Sequence, residues 1–145
     1  MRLAYSVILA LAGTTSVSIA QENLLCLGEK STGFHWNGSS WDATTFNVTD
    51  ARYVVKPVAE YEYVDGNKVN YEITRLGESF SAHKCFRGMY NGAAVDQIAC
   101  GGLGFGFIVN FKTLRFQEVY TLGFVDGSDA GGNTPSLTIG RCSPF

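Results

Sequence analysis

No apolar run in this 145-residue chain reaches the roughly 20 residues that a membrane-spanning helix needs. No block of basic residues occurs either. Nucleic-acid binding through phosphate neutralisation is therefore not expected, and neither is docking on an anionic membrane surface. Proline numbers only 3 and histidine only 2. There is no Cys-x-x-Cys pair, which removes zinc-ribbon and thioredoxin-like sites. There is no Gly-x-Ser-x-Gly elbow, the strand-to-helix turn that exposes a hydrolase serine. No long stretch keeps a helical period, and no repeat, low-complexity tract or linker divides the chain.

What is present begins with export. Arg2 is the only charge before Glu22, Leu3 to Ala12 is largely apolar, and small residues end at Ser18-Ile19-Ala20. That order predicts a signal peptide over residues 1–20, cut after Ala20. A lipid-anchored form would need a cysteine directly after the apolar run, whereas Cys26 follows Leu24-Leu25. Residues 21–145 then form a single domain, long enough to bury well over half of its chain surface. Without Arg2, ten basic residues face thirteen acidic ones, a net charge near −3 with no clustering of either sign.

All 4 cysteines, Cys26, Cys85, Cys100 and Cys142, lie in the exported part. An even count in an oxidising compartment implies two disulfides. Three pairings are open. The one favoured is Cys26–Cys142, tying the first strand to the last, with Cys85–Cys100 stapling a local hairpin.

The composition is that of β structure, with 17 glycines and 13% aromatic residues. Asn37-Gly38, Asp65-Gly66, Asn91-Gly92 and Asp126-Gly127 separate aromatic and β-branched stretches, which is the hairpin signal. Phe34, Trp36 and Trp41 share a face of the first hairpin whether its loop holds two or four residues, and His35 and Asp42 share the other. In the second, Tyr61 and Tyr63 alternate with glutamates, and Val69, Tyr71 and Ile73 with polar residues. A three-residue loop, Asp65-Gly66-Asn67, would set Tyr63 against Val69 and Ala59 against Ile73, and leave Glu60 facing Glu72. A two-residue loop would mix the faces. Leu103–Val109 and Leu114–Val125 are read as the third pair, with Val109 opposite Leu114. Residues 93–100 fit a short helix after Asn91 or, preferably, a strand. The last strand, 136–142, is expected to turn Leu137 and Ile139 inward. Seven or eight short antiparallel strands predict an all-β fold, a small barrel or sandwich stapled by two disulfides.

Several stretches resemble functional motifs and carry a plainer reading beside them. Gly101 to Gly106 resembles a phosphate loop but lacks the strand before it and the helix after it. As a strand it would place Gly102, Gly104 and Gly106 on one face and Leu103, Phe105 and Phe107 on the other. Asp126 to Asn133 is acidic, yet Ala130 stands at the fifth position of a calcium loop and Leu137 at the twelfth. His35 and Asp42 could serve a small hydrolase if held together; the plainer reading is a surface pair. His83 precedes Cys85, whose thiol is consumed if it is oxidised. Phe145 invites comparison with outer-membrane barrels, but Ser143, Arg141 and Pro144 spoil a lipid-facing strand. Asn37-Gly38-Ser39 and Asn47-Val48-Thr49 fit the glycosylation rule, which matters only in a eukaryotic host.

The run Cys26-Leu27-Gly28-Glu29-Lys30-Ser31-Thr32-Gly33-Phe34-His35-Trp36-Asn37-Gly38, with Trp41 after it, resembles the start of small exported proteins of bacteria and their phages. Cys100, Phe107, Asn110, Thr113-Leu114-Arg115-Phe116, Thr134-Pro135 and Ile139-Gly140-Arg141-Cys142 are similar to their C-terminal half. The resemblance implies a bacterial, exported protein and brings no mechanism with it. A weaker architectural likeness is to periplasmic C-type lysozyme inhibitors; no residue is carried over from them. The expectation is a non-catalytic periplasmic or secreted binding protein, with inhibition of a cell-wall hydrolase as one form of that role. It needs no cofactor, no metal and no catalytic residue. Its partner is a protein or glycan, met through loops that carry Trp41, Asp126, Asp129 and Asn133. The alternatives are a structural or virion-associated component and, behind it, a small hydrolase.

Overall fold

The structure, a computed structural model, describes residues 23–60, 62–80, 83–127 and 129–145. The predicted signal segment and its cleavage site lie outside them, as does Tyr61. In chain order the elements are β1 (Leu24–Trp36), β2 (Trp41–Phe46), β3 (Arg52–Pro57), β4 (Tyr63–Val64), β5 (Asn67–Arg75), β6 (His83–Tyr90), β7 (Ala93–Gly102), β8 (Phe105–Asn110), β9 (Arg115–Tyr120), α1 (Leu122–Val125) and β10 (Ser136–Pro144). Eight of the strands close a barrel, β1-β3-β5-β6-β7-β8-β9-β10, because β10 pairs back onto β1. All pairings are antiparallel.

β1 is long enough to serve three neighbours. One edge meets β10 along most of its length; the other meets β3 through Leu24–Leu27 and β2 through Ser31–Trp36. A bulge between Gly28 and Lys30 turns the strand between those two tasks. Closure leaves no free edge in the barrel itself, which removes the usual hazard of sheet-to-sheet aggregation.

The disulfides are Cys26–Cys142 and Cys85–Cys100, the favoured pairing. Each joins residues directly opposite in a ladder, Cys26 with Cys142 across the closing seam and Cys85 with Cys100 across β6–β7. Around them lie Leu24, Val55, Ile73, Ile98, Phe107 and Val109, all at most 1% exposed. Full burial of one such side chain stabilises the fold by about 1.5–3 kcal/mol. Phe107 stacks on Phe116 at 4.9 Å, and Tyr53 meets both rings edge-on.

The structure corrects four register readings. The second hairpin has the two-residue turn, with Tyr63 opposite Lys68 and Val64 opposite Asn67. Asp65 and Gly66 both adopt positive φ, 50° and 77°, the geometry in which two-residue hairpin turns match strand twist. Ala59 does not face Ile73, because β5 meets β4 only through Asn67 and Lys68 and pairs with β3 from Tyr71 onward. Tyr53 and Val55 on β3 take that edge, with Val55 opposite Ile73, and Pro57 ends the strand. Lys56, not Glu60, faces Glu72, and the row Lys56–Glu72–Lys84 forms outer ion pairs of 3.0 and 3.6 Å.

The third pair sets Val109 opposite Phe116 instead of Leu114, through a loop held by the Asn110 side chain, which accepts from the Lys112 and Thr113 amides. Its second strand stops at Tyr120, and α1 follows. Gly101 to Gly106 is not one strand: Leu103 and Gly104 form the β7–β8 turn, with Gly102 opposite Phe105. In β10, Leu137 and Ile139 face outward at 37% and 45% exposure, while Thr138 and Cys142 are buried. Cys142 must point inward to meet Cys26, and the two-residue period then carries 138 and 140 in and 137 and 139 out. Residues 93–100 are strand, as preferred, and the first hairpin has the four-residue loop, with Trp36 opposite Trp41.

Candidate functional site

The β1–β2 turn is organised by Asn37. Its Oδ1 accepts from the Ser39 and Ser40 amides, 2.9 Å each, and its Nδ2 donates to Asp42 Oδ2 at 2.6 Å. An Asn side chain that mimics a backbone turn in this way stiffens a loop. Asp42 is held further by the Ser40 hydroxyl, 3.2 Å. His35 stands opposite Asp42 in the ladder, yet among the described residues no hydrogen bond joins them.

The turn delivers Trp41 to the other predicted loop. Trp41 Nε1 donates to Asp129 Oδ1 at 2.9 Å, and Phe124 of α1 meets the Trp41 ring edge-on at 6.0 Å. Trp36 also packs on Trp41, with ring centres 5.8 Å apart. Within the loop, Asn133 Nδ2 donates to Asp126 Oδ2 at 3.1 Å, and Tyr120 donates its hydroxyl to Asn133 Oδ1. Gly123 lets the returning chain close over α1: a Cβ there would sit 1.5 Å from the Asn133 carbonyl oxygen. The four candidate residues, Trp41, Asp126, Asp129 and Asn133, therefore belong to one structural unit. Phe34, Trp41, Thr121, Phe124, Val125 and Pro135 line a hollow of about 330 Å³ beside it. Phe34 and Phe124 are 52% and 64% exposed, so the hollow opens onto an outward aromatic shelf. Among the described residues, no three His, Cys, Asp or Glu side chains converge on a metal position.

A second site was not read from the sequence. At one end of the barrel the polar side chains of Arg75, His83 and Glu118 gather beside the rings of Tyr53 and Phe105. Tyr53 donates its hydroxyl to Glu118 Oε2 at 2.5 Å, and the Arg75 guanidinium lies 5.8 Å from the centre of the Tyr53 ring. His83 stacks on Phe105 at 3.8 Å, with 15° between the planes. Thr138 donates to the Ser31 hydroxyl at 3.0 Å. These groups border a mouth of about 440 Å³, with a recess of about 190 Å³ under His83 and Phe105.

Electrostatics in the mouth follow from burial. Burial, reinforced by the hydrogen bond to Glu118 and that residue's charge, holds the Tyr53 phenol well above its usual range. Burial opposes the Arg75 charge, but Tyr53, Glu118 and Glu78 outweigh it and raise its pKa. Burial lowers the His83 imidazole below its ordinary value.

The signal for this site was present but dispersed. Arg75 follows Ile73, His83 precedes Cys85, Glu118 follows Phe116 and Thr138 precedes Cys142 at inward parity. Each is a polar residue in line with a buried face, on strands whose order around the barrel was not known.

Comparisons with protein-family models, with curated proteins and with solved structures give no match. The class is thus set by the architecture itself, a disulfide-closed antiparallel β-barrel with a polar mouth and a loop-borne aromatic shelf.

Proposed function

We propose that this chain is a non-catalytic binding protein of the periplasm or cell exterior, and that its partner is a protein seated on the aromatic shelf. The observation that carries the reading is the Trp41–Asp129 contact. It locks two loops, 88 residues apart in sequence, into one rigid surface with exposed rings. Rings anchored in this way present a large apolar area with little ordering entropy left to lose, which suits them to be binding anchors. The two disulfides are consistent with an oxidising compartment. Inhibition of a cell-wall hydrolase is the specific form proposed.

Titration of the folded domain with lysozymes and with peptidoglycan fragments tests this through Trp fluorescence. Binding that Phe124→Ala and Trp41→Ala each weaken at least about tenfold is the expected result. Binding unchanged in both variants contradicts the shelf, and silence toward every hydrolase removes the inhibitor form.

A structural, self-associating role is the second reading. Ile108 and Ile139 flank Gln117 in one outward row across β8, β9 and β10, each about half exposed. Sedimentation velocity decides it: concentration-dependent dimers or larger species favour this role, and a monomer throughout removes it.

A further inference from the structure

The barrel mouth is independent of the shelf, and its chemistry points to a different ligand. We infer that it is a saccharide-binding site, taking one neutral or amine-bearing sugar unit, free or at the end of a glycan. Its volume of about 440 Å³ lies within the range of about 300–1,000 Å³ common to small-molecule pockets, and barrel mouths are a recurrent place for them.

The lining excludes the main alternatives. An apolar ligand would strip water from Arg75 and Glu118 without replacing its hydrogen bonds. An anionic ligand would meet Asp50, Glu78 and Glu118 against the single guanidinium of Arg75, in two connected hollows. A sugar ring supplies what remains. Its hydroxyls both donate and accept, which suits a rim offering a guanidinium, a carboxylate and side-chain hydroxyls. Ser31 accepts from Thr138 and keeps its own proton to donate. Glu118 receives Tyr53 on Oε2, and neither Glu118 nor Arg75 has an ion pair within 4.0 Å among the described residues. Both therefore keep capacity for hydroxyls. The apolar faces of a pyranose need a flat partner, and the mouth holds Phe105, already stacked and oriented by His83. Charged planar groups beside an aromatic ring fix a sugar's orientation better than either alone.

The test follows the His83 and Phe105 ring resonances of the oxidised domain by NMR. N-acetylglucosamine, glucosamine, glucose and galactose are titrated to millimolar levels, with glucuronate as the anionic comparison. Saturable shifts confined to mouth residues are expected with at least one of the four, at least about tenfold weaker with glucuronate. Glu118→Gln is expected to weaken the response about tenfold, since a hydrogen bond to a charged group is being exchanged for a neutral one. Arg75→Gln, on the exposed rim, gives the same readout should the Glu118 variant not fold. If a free sugar fails but a glycan of the same units shifts the same resonances, the site takes chain ends and the inference stands. No response from any sugar or glycan overturns it, as does tighter binding of glucuronate. The Trp41 indole signal is read in the same spectra, so failure of the mouth and failure of the shelf are separate results.

Discussion

At the residue scale, Tyr53 joins the core to the mouth. Its ring packs against Phe107 and Phe116, and its hydroxyl reaches Glu118. A phenol whose folded pKa lies above its unfolded one contributes stability that is complete below the unfolded value, near 10, and is lost as pH rises beyond it. Unfolding in urea is therefore expected to become easier above about pH 10. Tyr53→Phe should flatten that part of the profile, and equal slopes in both proteins would refute the assignment. His83 acts in the opposite pH direction. Its folded pKa is depressed, so the unfolded chain takes the proton first, and stability falls as pH drops through the ordinary value of 6.5. His83→Phe should remove that loss. Phe107, fully buried and stacked, is the most costly single truncation: Phe107→Ala is expected to lower stability by about 3–5 kcal/mol in urea titration.

At the element scale, the alternation of single strands was legible and their partners were not. Val69, Tyr71 and Ile73 read correctly as a buried face because period two is a local property. Their neighbour was misread because residues 59–63 alternate cleanly in sequence, whereas Tyr53-Val54-Val55 is a continuous apolar run whose place beside β5 is selected only by global closure. Leu137 and Ile139 misled for a related reason. They are the bulkiest apolar side chains of their strand, but the inward direction is dictated by Cys142, five and three residues on. The site divides in the same way. Trp41 and the 126–133 loop were legible because loops announce themselves by Gly, Asp and Asn. The mouth was not, because its residues come singly from strands far apart in the chain. Loop and α1 form one unit, so Gly123→Ala is expected to displace the Asn133 backbone and release Trp41 from Asp129. A shifted Trp41 indole N–H resonance with barrel amides unmoved is the predicted outcome, and an unmoved indole would show that the loop docks by other means.

At the scale of the whole molecule, barrel and sandwich could not be separated from a list of strands. The pairing of β10 with β1 decides between them, and it joins residues more than 100 positions apart. The Cys26–Cys142 bond closes this seam covalently across 116 residues, for which the chain-entropy model gives about 5 kcal/mol, and about 3 kcal/mol for Cys85–Cys100. Replacing Cys26 and Cys142 with Ser should therefore destabilise more than replacing Cys85 and Cys100, as read from urea midpoints. The reverse order would mean that the seam holds through its ladder alone.

The most direct single measurement is a non-reducing peptide map, with intact mass, of the protein recovered from outside the cytoplasm. The account predicts a chain beginning at Gln21, four hydrogens lighter than its reduced form, with Cys26 linked to Cys142 and Cys85 to Cys100. An uncut N-terminus, free thiols or any other pairing would contradict the exported, covalently closed barrel on which both proposed sites depend.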